Sequence, residues 1–121
     1  GALSQGQRQI VILARCIVQD SPVMLMDEPD SALDFLNRHM VLSKIRELIK
    51  EENKAGLITL HDPNFAMAYC DRLLLLKEGR LVGELDMRRA KADEVKKKLS
   101  LIYGDIELLQ SGDSFLMGKA L

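Results

Sequence analysis

An apolar run, Val23 to Met26, stops at two adjacent carboxylates, Asp27 and Glu28, and Pro29 follows at once. No other feature limits the fold of this chain as much. Four apolar residues without polar alternation indicate a short strand covered on both faces. A charge at the end of such a strand is costly unless something pairs with it. The acids must therefore meet a polar edge or a ligand. Downstream, Asp34 to about Asn53 reads as a helix whose apolar stripe is Val41, Leu42, Ile45, Leu48 and Ile49. Lys50, Lys54 and then Gly56 mark its end. Leu57 to Leu60 is a second short apolar strand, and Asp62-Pro63 supplies an N-cap with proline at the first helical position. Arg72 to Lys77 is the next strand. Strand, helix, strand, helix, strand over residues 22–77 is the βαβ rhythm of a parallel sheet with helical cover. In such sheets ligands bind beyond the carboxyl ends of the strands. Asp27 and Glu28 stand at one such end, and His61 and Asp62 at another.

The flanking segments complete an α/β pattern. Leu3 to Val18 reads as a helix, capped by Ser4, with Ile10, Leu13, Ala14 and Ile17 on one face. Ser21-Pro22 ends it. Arg72–Lys77 and Arg80–Leu85 form a hairpin about Glu78-Gly79. Asp93 to Tyr103 is a helix with Val95, Leu99 and Ile102 on its buried side and Lys96-Lys97-Lys98 in solvent. Ile106–Leu109 and Ser114–Met117, split by Ser111-Gly112-Asp113, form a closing hairpin.

Composition removes several function classes. The length, 121 residues, suits one domain, and 47% hydrophobic with 29% charged residues reads as globular. A net charge of −1 gives no electrostatic reason to expect nucleic acid. With three Phe, two Tyr and no Trp, base-stacking platforms are scarce. Cys16 and Cys70 sit in apolar contexts without metal-type spacing, which fits core packing in a reducing compartment. No apolar run approaches the ~20 residues a membrane helix needs.

Three groups carry chemistry. Ser4 and Gly6 open a helix, where free N–H groups, a hydroxyl and a close-approach glycine can receive an anion; a plain N-cap is the simpler use of the same serine. Of the acid pair, one can hold magnesium through water and the other can polarise an attacking water as a general base. The plainer reading of the pair is a helix-capping or surface acid pair. His61, at the end of the next strand, can donate a hydrogen bond to a phosphate oxygen or serve only as a satisfied structural histidine.

Taken together these stretches resemble the ATP-binding subunits of ABC transporters. Leu3-Ser4-Gln5-Gly6-Gln7-Arg8-Gln9 resembles their signature motif, and Met24-Leu25-Met26-Asp27-Glu28-Pro29 their Walker B strand with its catalytic glutamate. Ser31-Ala32-Leu33-Asp34 resembles the D-loop and Thr59-Leu60-His61-Asp62 the switch-histidine loop. All four come in the family's order. The resemblance implies a partial P-loop NTPase core in which Asp27 supports magnesium, Glu28 orients the attacking water and His61 senses the γ-phosphate of ATP. It further implies that Ser4, Gly6 and Gln7 contact nucleotide on a second ATPase subunit, with Asp34 at the dimer seam. Gln5 stands where the family usually has glycine, and Asp30 replaces a common threonine, which reads as a minor change.

No Gly-x-x-x-x-Gly-Lys-Ser/Thr phosphate loop occurs in these residues. Residues 1–121 are therefore expected to be the C-terminal half of such a domain, beginning at Gly1 as a processed or excised piece and inactive alone. The implied full-length parent is a dimeric ATPase, cytoplasmic and peripheral on the inner face of the membrane through a transmembrane permease. Leu101-Ile102-Tyr103-Gly104-Asp105-Ile106 and His61-Asp62-Pro63-Asn64 resemble the subunits of metal-chelate importers, such as those for iron–siderophore and cobalamin. The competing reading is a non-catalytic interaction or regulatory module derived from such an ATPase. Loss of the other half would leave sheet edge or apolar surface uncovered, so the piece is expected to self-associate.

Overall fold

The structure, a computed structural model, describes residues 7–8 and 21–120. Gln7 and Arg8 are helical and exposed. The rest of the helix expected over Leu3–Val18, with Ser4, Gln5, Gly6 and Cys16, lies outside the described residues. The chain divides into two compact units, Gly1–His61 and Asp62–Leu121.

In the first unit, β1 (Val23–Asp27) runs into a turn, α1 (Phe35–Glu51) follows, and β2 (Ala55–Thr59) returns parallel to β1. This is the expected crossover, because a parallel pair needs a long connection between its strands. Val41, Leu42 and Ile45 are buried along the helix as its stripe predicts. The expectation of a β1 covered on both faces is corrected. Met24 is 4% exposed, whereas Val23 and Leu25 are 49% and 75% exposed. The register explains the alternation. Met24 lies opposite Gly56 and Leu25 opposite Leu57. A Cβ at Gly56 would meet the Ile49 side chain and come within 3.4 Å of Met26 Cε, so α1 covers the Met24–Gly56 face. Leu25 and Leu57 stand together on the other face, both exposed.

The helix boundary also moves. α1 stops at Glu51, Glu52 caps it through bonds to Leu48 O and Lys50 O, and Asn53 takes a positive φ of 51°. Asparagine thus does the work that glycine was expected to do. Gly56 is free to enter β2, which starts two residues earlier than its apolar run.

In the second unit, α2 (Pro63–Tyr69) begins as expected, with Asp62 accepting from Asn64 N–H at 2.8 Å. Next come β3 (Arg72–Lys77) and β4 (Arg80–Asp86), paired antiparallel. This is the hairpin expected about Glu78-Gly79. Glu78 and Gly79, at φ 52° and 75°, make the tight turn. This two-residue geometry matches the strand twist and favours sequential pairing. α3 (Ala92–Tyr103) buries Val95 and Leu99 against Leu73, Leu75 and Leu85. β5 (Ile106–Ser111) and β6 (Ser114–Lys119) close the unit. Their turn is shorter than expected: Ser111 pairs with Ser114, leaving Gly112-Asp113, with Gly112 at φ 59°. The solvated lysine run holds for Lys96 and Lys97, while Lys98 reaches Glu94 and the carbonyl of Glu84. Beyond β4 the Asp86 carboxylate accepts from the Arg88 backbone N–H. That bond, helped by the Arg88 guanidinium, holds Asp86 below the ordinary carboxylate range.

Candidate functional site

The sequence-predicted acids and histidine meet at the carboxyl ends of β1 and β2. Asp27 is the last residue of β1 and lies in register with Thr59, the last of β2. The Thr59 hydroxyl donates to Asp27 Oδ1 at 2.5 Å and accepts the Glu28 backbone N–H at 2.9 Å. The same N–H also reaches the Thr59 carbonyl at 3.2 Å. Asp27 Oδ2 has no partner among the described residues, and Asp27 is exposed.

Glu28 turns the chain out of the sheet. Its φ is 47°, a left-handed conformation that costs a non-glycine residue roughly 1–2 kcal/mol. Backbone bonds offset the strain. The Glu28 N–H is held by Thr59, and its carbonyl accepts Ser31 N–H at 3.0 Å. The turn brings the Glu28 side chain to His61, just past the end of β2. There the His61 imidazole, through Nε2, lies in ion-pair contact with Glu28 Oε1. The His61 side chain is 86% exposed and that of Glu28 is 37% exposed, so both can reach a ligand in solvent.

Two contributors escaped the sequence reading. Thr59 lies inside the histidine-loop stretch, where the resemblance assigns a role only to His61. Its signal was a hydroxyl residue at the last position of an apolar strand. Asp30 was read as a minor change, and the structure corrects this. It is 4% exposed, and both Nε and Nη2 of Arg38 lie 3.0 Å from its Oδ2. The pair ties the turn after Glu28 to the second turn of α1. Asp34 is exposed and caps α1, accepting Asn37 N–H at 2.9 Å. Gln7 is exposed and helical, whereas Ser4 and Gly6 lie outside the described residues.

The arrangement can do three things. It leaves one carboxylate oxygen unpaired among the described residues at Asp27, follows it with a second acid at Glu28, and sets an imidazole in contact with that second acid. No helix among the described residues is long and apolar enough to cross a membrane.

Known proteins share sequence and fold with this chain. Residues 1–31 match the family model described as ABC transporter. Over 108 residues the chain is 39% identical to the hemin import ATP-binding protein HmuV of Vibrio parahaemolyticus, covering 85% of this chain and 40% of that protein. Over 111 residues it is 36% identical to a phosphonates import ATP-binding protein of Nostoc sp., covering 92% and 41% respectively. A solved ABC transporter described as metal-chelate type, in an inward-facing conformation, aligns with a TM-score of 0.74 at 30% identity. That alignment covers 96% of this chain and 46% of the other. The chain spans about 40% of the length of these curated relatives.

Proposed function

We propose that this chain, a relative in sequence and fold of the ATP-binding subunits of ABC transporters, is the C-terminal half of such a domain and, joined to the half that cradles the phosphates, hydrolyses ATP to drive a membrane permease. The observation that carries this reading is the convergence of Asp27, Glu28 and His61 at two adjacent strand ends. Such convergence suits phosphoryl transfer to water, in which positioning and charge stabilisation do most of the catalysis.

In this mechanism Glu28 orients the attacking water and accepts its proton. His61, whose Nε2 lies in contact with Glu28 Oε1, is the residue the resemblance assigns to the γ-phosphate. Turning its imidazole to a phosphate oxygen frees Glu28 Oε1 for the water, so nucleotide arrival and water activation are linked through one side chain. Asp27 fits magnesium, which keeps several waters and needs few protein oxygens. Its Oδ1 is fixed by Thr59, and its Oδ2 has no partner among the described residues. Bound there, the ion would neutralise charge on the phosphates. By the same resemblance Ser4, Gly6 and Gln7 serve nucleotide on a second copy of the subunit, and Asp34 lies at the seam between copies. The subunit works at the cytoplasmic face of the membrane, and relatives named for hemin and cobalamin import favour a metal-chelate cargo.

Phosphate release tests the reading. The full-length protein that contains these residues should hydrolyse ATP with a requirement for magnesium, and the 121-residue chain alone should not. Magnesium-dependent turnover by the chain alone would show that the missing half is not needed. An inactive full-length protein that still dimerises would favour the non-catalytic module.

The exposed Val23, Leu25 and Leu57 make one face of the β1–β2 pair apolar and uncovered. Contiguous apolar surface of this kind promotes association. Light scattering of the chain alone should give a mass at least twice that of the monomer, and a monomer at high concentration counts against it.

A further inference from the structure

The Thr59 hydroxyl has one proton to give, and the structure commits it to Asp27 Oδ1. Its lone pairs face the Glu28 backbone N–H. The result is a short relay, amide to hydroxyl to carboxylate, in which each bond polarises the next. Thr59 is thus the only described side chain bonded to both acidic residues. It sits on the neighbouring strand, fixed in register with Asp27.

We propose that Thr59 is a positioning residue for the acid pair, acting through its hydroxyl on both members at once. Toward Asp27 it occupies Oδ1 and sets the carboxylate plane, which leaves Oδ2 as the oxygen offered outward. Toward Glu28 it adds a second acceptor to an N–H whose residue sits at φ 47°. That bond helps hold the left-handed turn that directs Glu28 toward His61. The side chain itself touches no substrate. A residue that holds a ligating carboxylate in this way belongs to the supporting layer of a metal site.

This inference rests on the reading of Asp27 and Glu28 as the acids for magnesium and water, and the test separates the two. Thr59→Val keeps the β-branched shape and removes the hydroxyl, and Thr59→Ser restores it. Thr59→Ala is the hydroxyl-free variant to use should valine prevent folding. In the full chain, hydrogen exchange at the Glu28 amide should speed up about ten-fold in Thr59→Val and stay near wild type in Thr59→Ser. The amides of Val41 and Ile45 should not change in either. In the presence of ATP, manganese binding read by electron paramagnetic resonance should weaken about ten-fold in Thr59→Val and recover in Thr59→Ser. Unchanged exchange at Glu28 overturns the proposal whatever the metal does. Altered exchange with unchanged manganese affinity overturns its Asp27 arm. If wild type binds no manganese with nucleotide, yet exchange responds as stated, the functional reading fails while the clamp on the turn stands.

Discussion

Glu28→Gln in the full-length protein lowers ATP turnover by about 10²–10⁴-fold, the range for losing a positioned general base. Nucleotide affinity should stay within about two-fold, because the lost interaction acts only as the water is deprotonated. Glutamine has the same shape and keeps a carbonyl oxygen where Glu28 Oε1 meets the His61 imidazole. The left-handed turn at Glu28 is held by its backbone N–H and carbonyl and should survive the change. The substitution therefore isolates the capacity to take a proton. The fall should appear in kcat, with KM for ATP close to wild type. Turnover within three-fold of wild type would remove Glu28 from the mechanism and leave the imidazole contact as its only visible role.

The sequence made this site legible because periodicity and strand ends are local properties. Two apolar runs, each stopping on ionisable residues and separated by one helix length, imply a crossover whose strand ends converge. Asp27, Glu28 and His61 follow from that alone. Thr59 did not, because its role depends on the register between two strands, and register is a relation between segments 32 residues apart. The exposed faces of Val23 and Leu25 were misread for a related reason. An apolar run reports what a strand needs covered. It does not report whether the described chain supplies the cover. The β3–β4 hairpin was legible for the opposite reason: Glu78-Gly79 is a local turn signal between two adjacent strand runs. Asp30 was undervalued because its partner, Arg38, is eight residues away across a helix start. The sequence marks Arg38 only as one polar residue among several on α1.

That ion pair yields an asymmetric prediction. The Asp30 side chain is 5% exposed and the Arg38 side chain 28% exposed. Removing the cation strands a carboxylate that is almost wholly buried, whereas removing the acid leaves a guanidinium that is already part-exposed to water. Arg38→Met should therefore destabilise the first unit by about 3 kcal/mol, the scale for breaking a buried pair from one side. Asp30→Asn should cost about 1 kcal/mol, since the amide oxygen still accepts from Arg38. The double variant Asp30→Asn with Arg38→Met leaves no buried charge unpaired. It should recover about half of the Arg38→Met loss, a coupling of about 2.5 kcal/mol. Native-state hydrogen exchange at the amides of Val41 and Ile45 reads all three, because both residues are buried in α1. The functional consequence follows from position. Asp30 lies two residues past Glu28, in the turn closed by the Ser31 N–H bond to the Glu28 carbonyl. Arg38→Met should thus also speed exchange at the Ser31 amide, while Asp30→Asn leaves it nearly unchanged. Equal costs for the two single variants would mean that the carboxylate reaches water when unpaired. The pair would then be a surface contact rather than the tie that holds the glutamate-bearing turn to the helix.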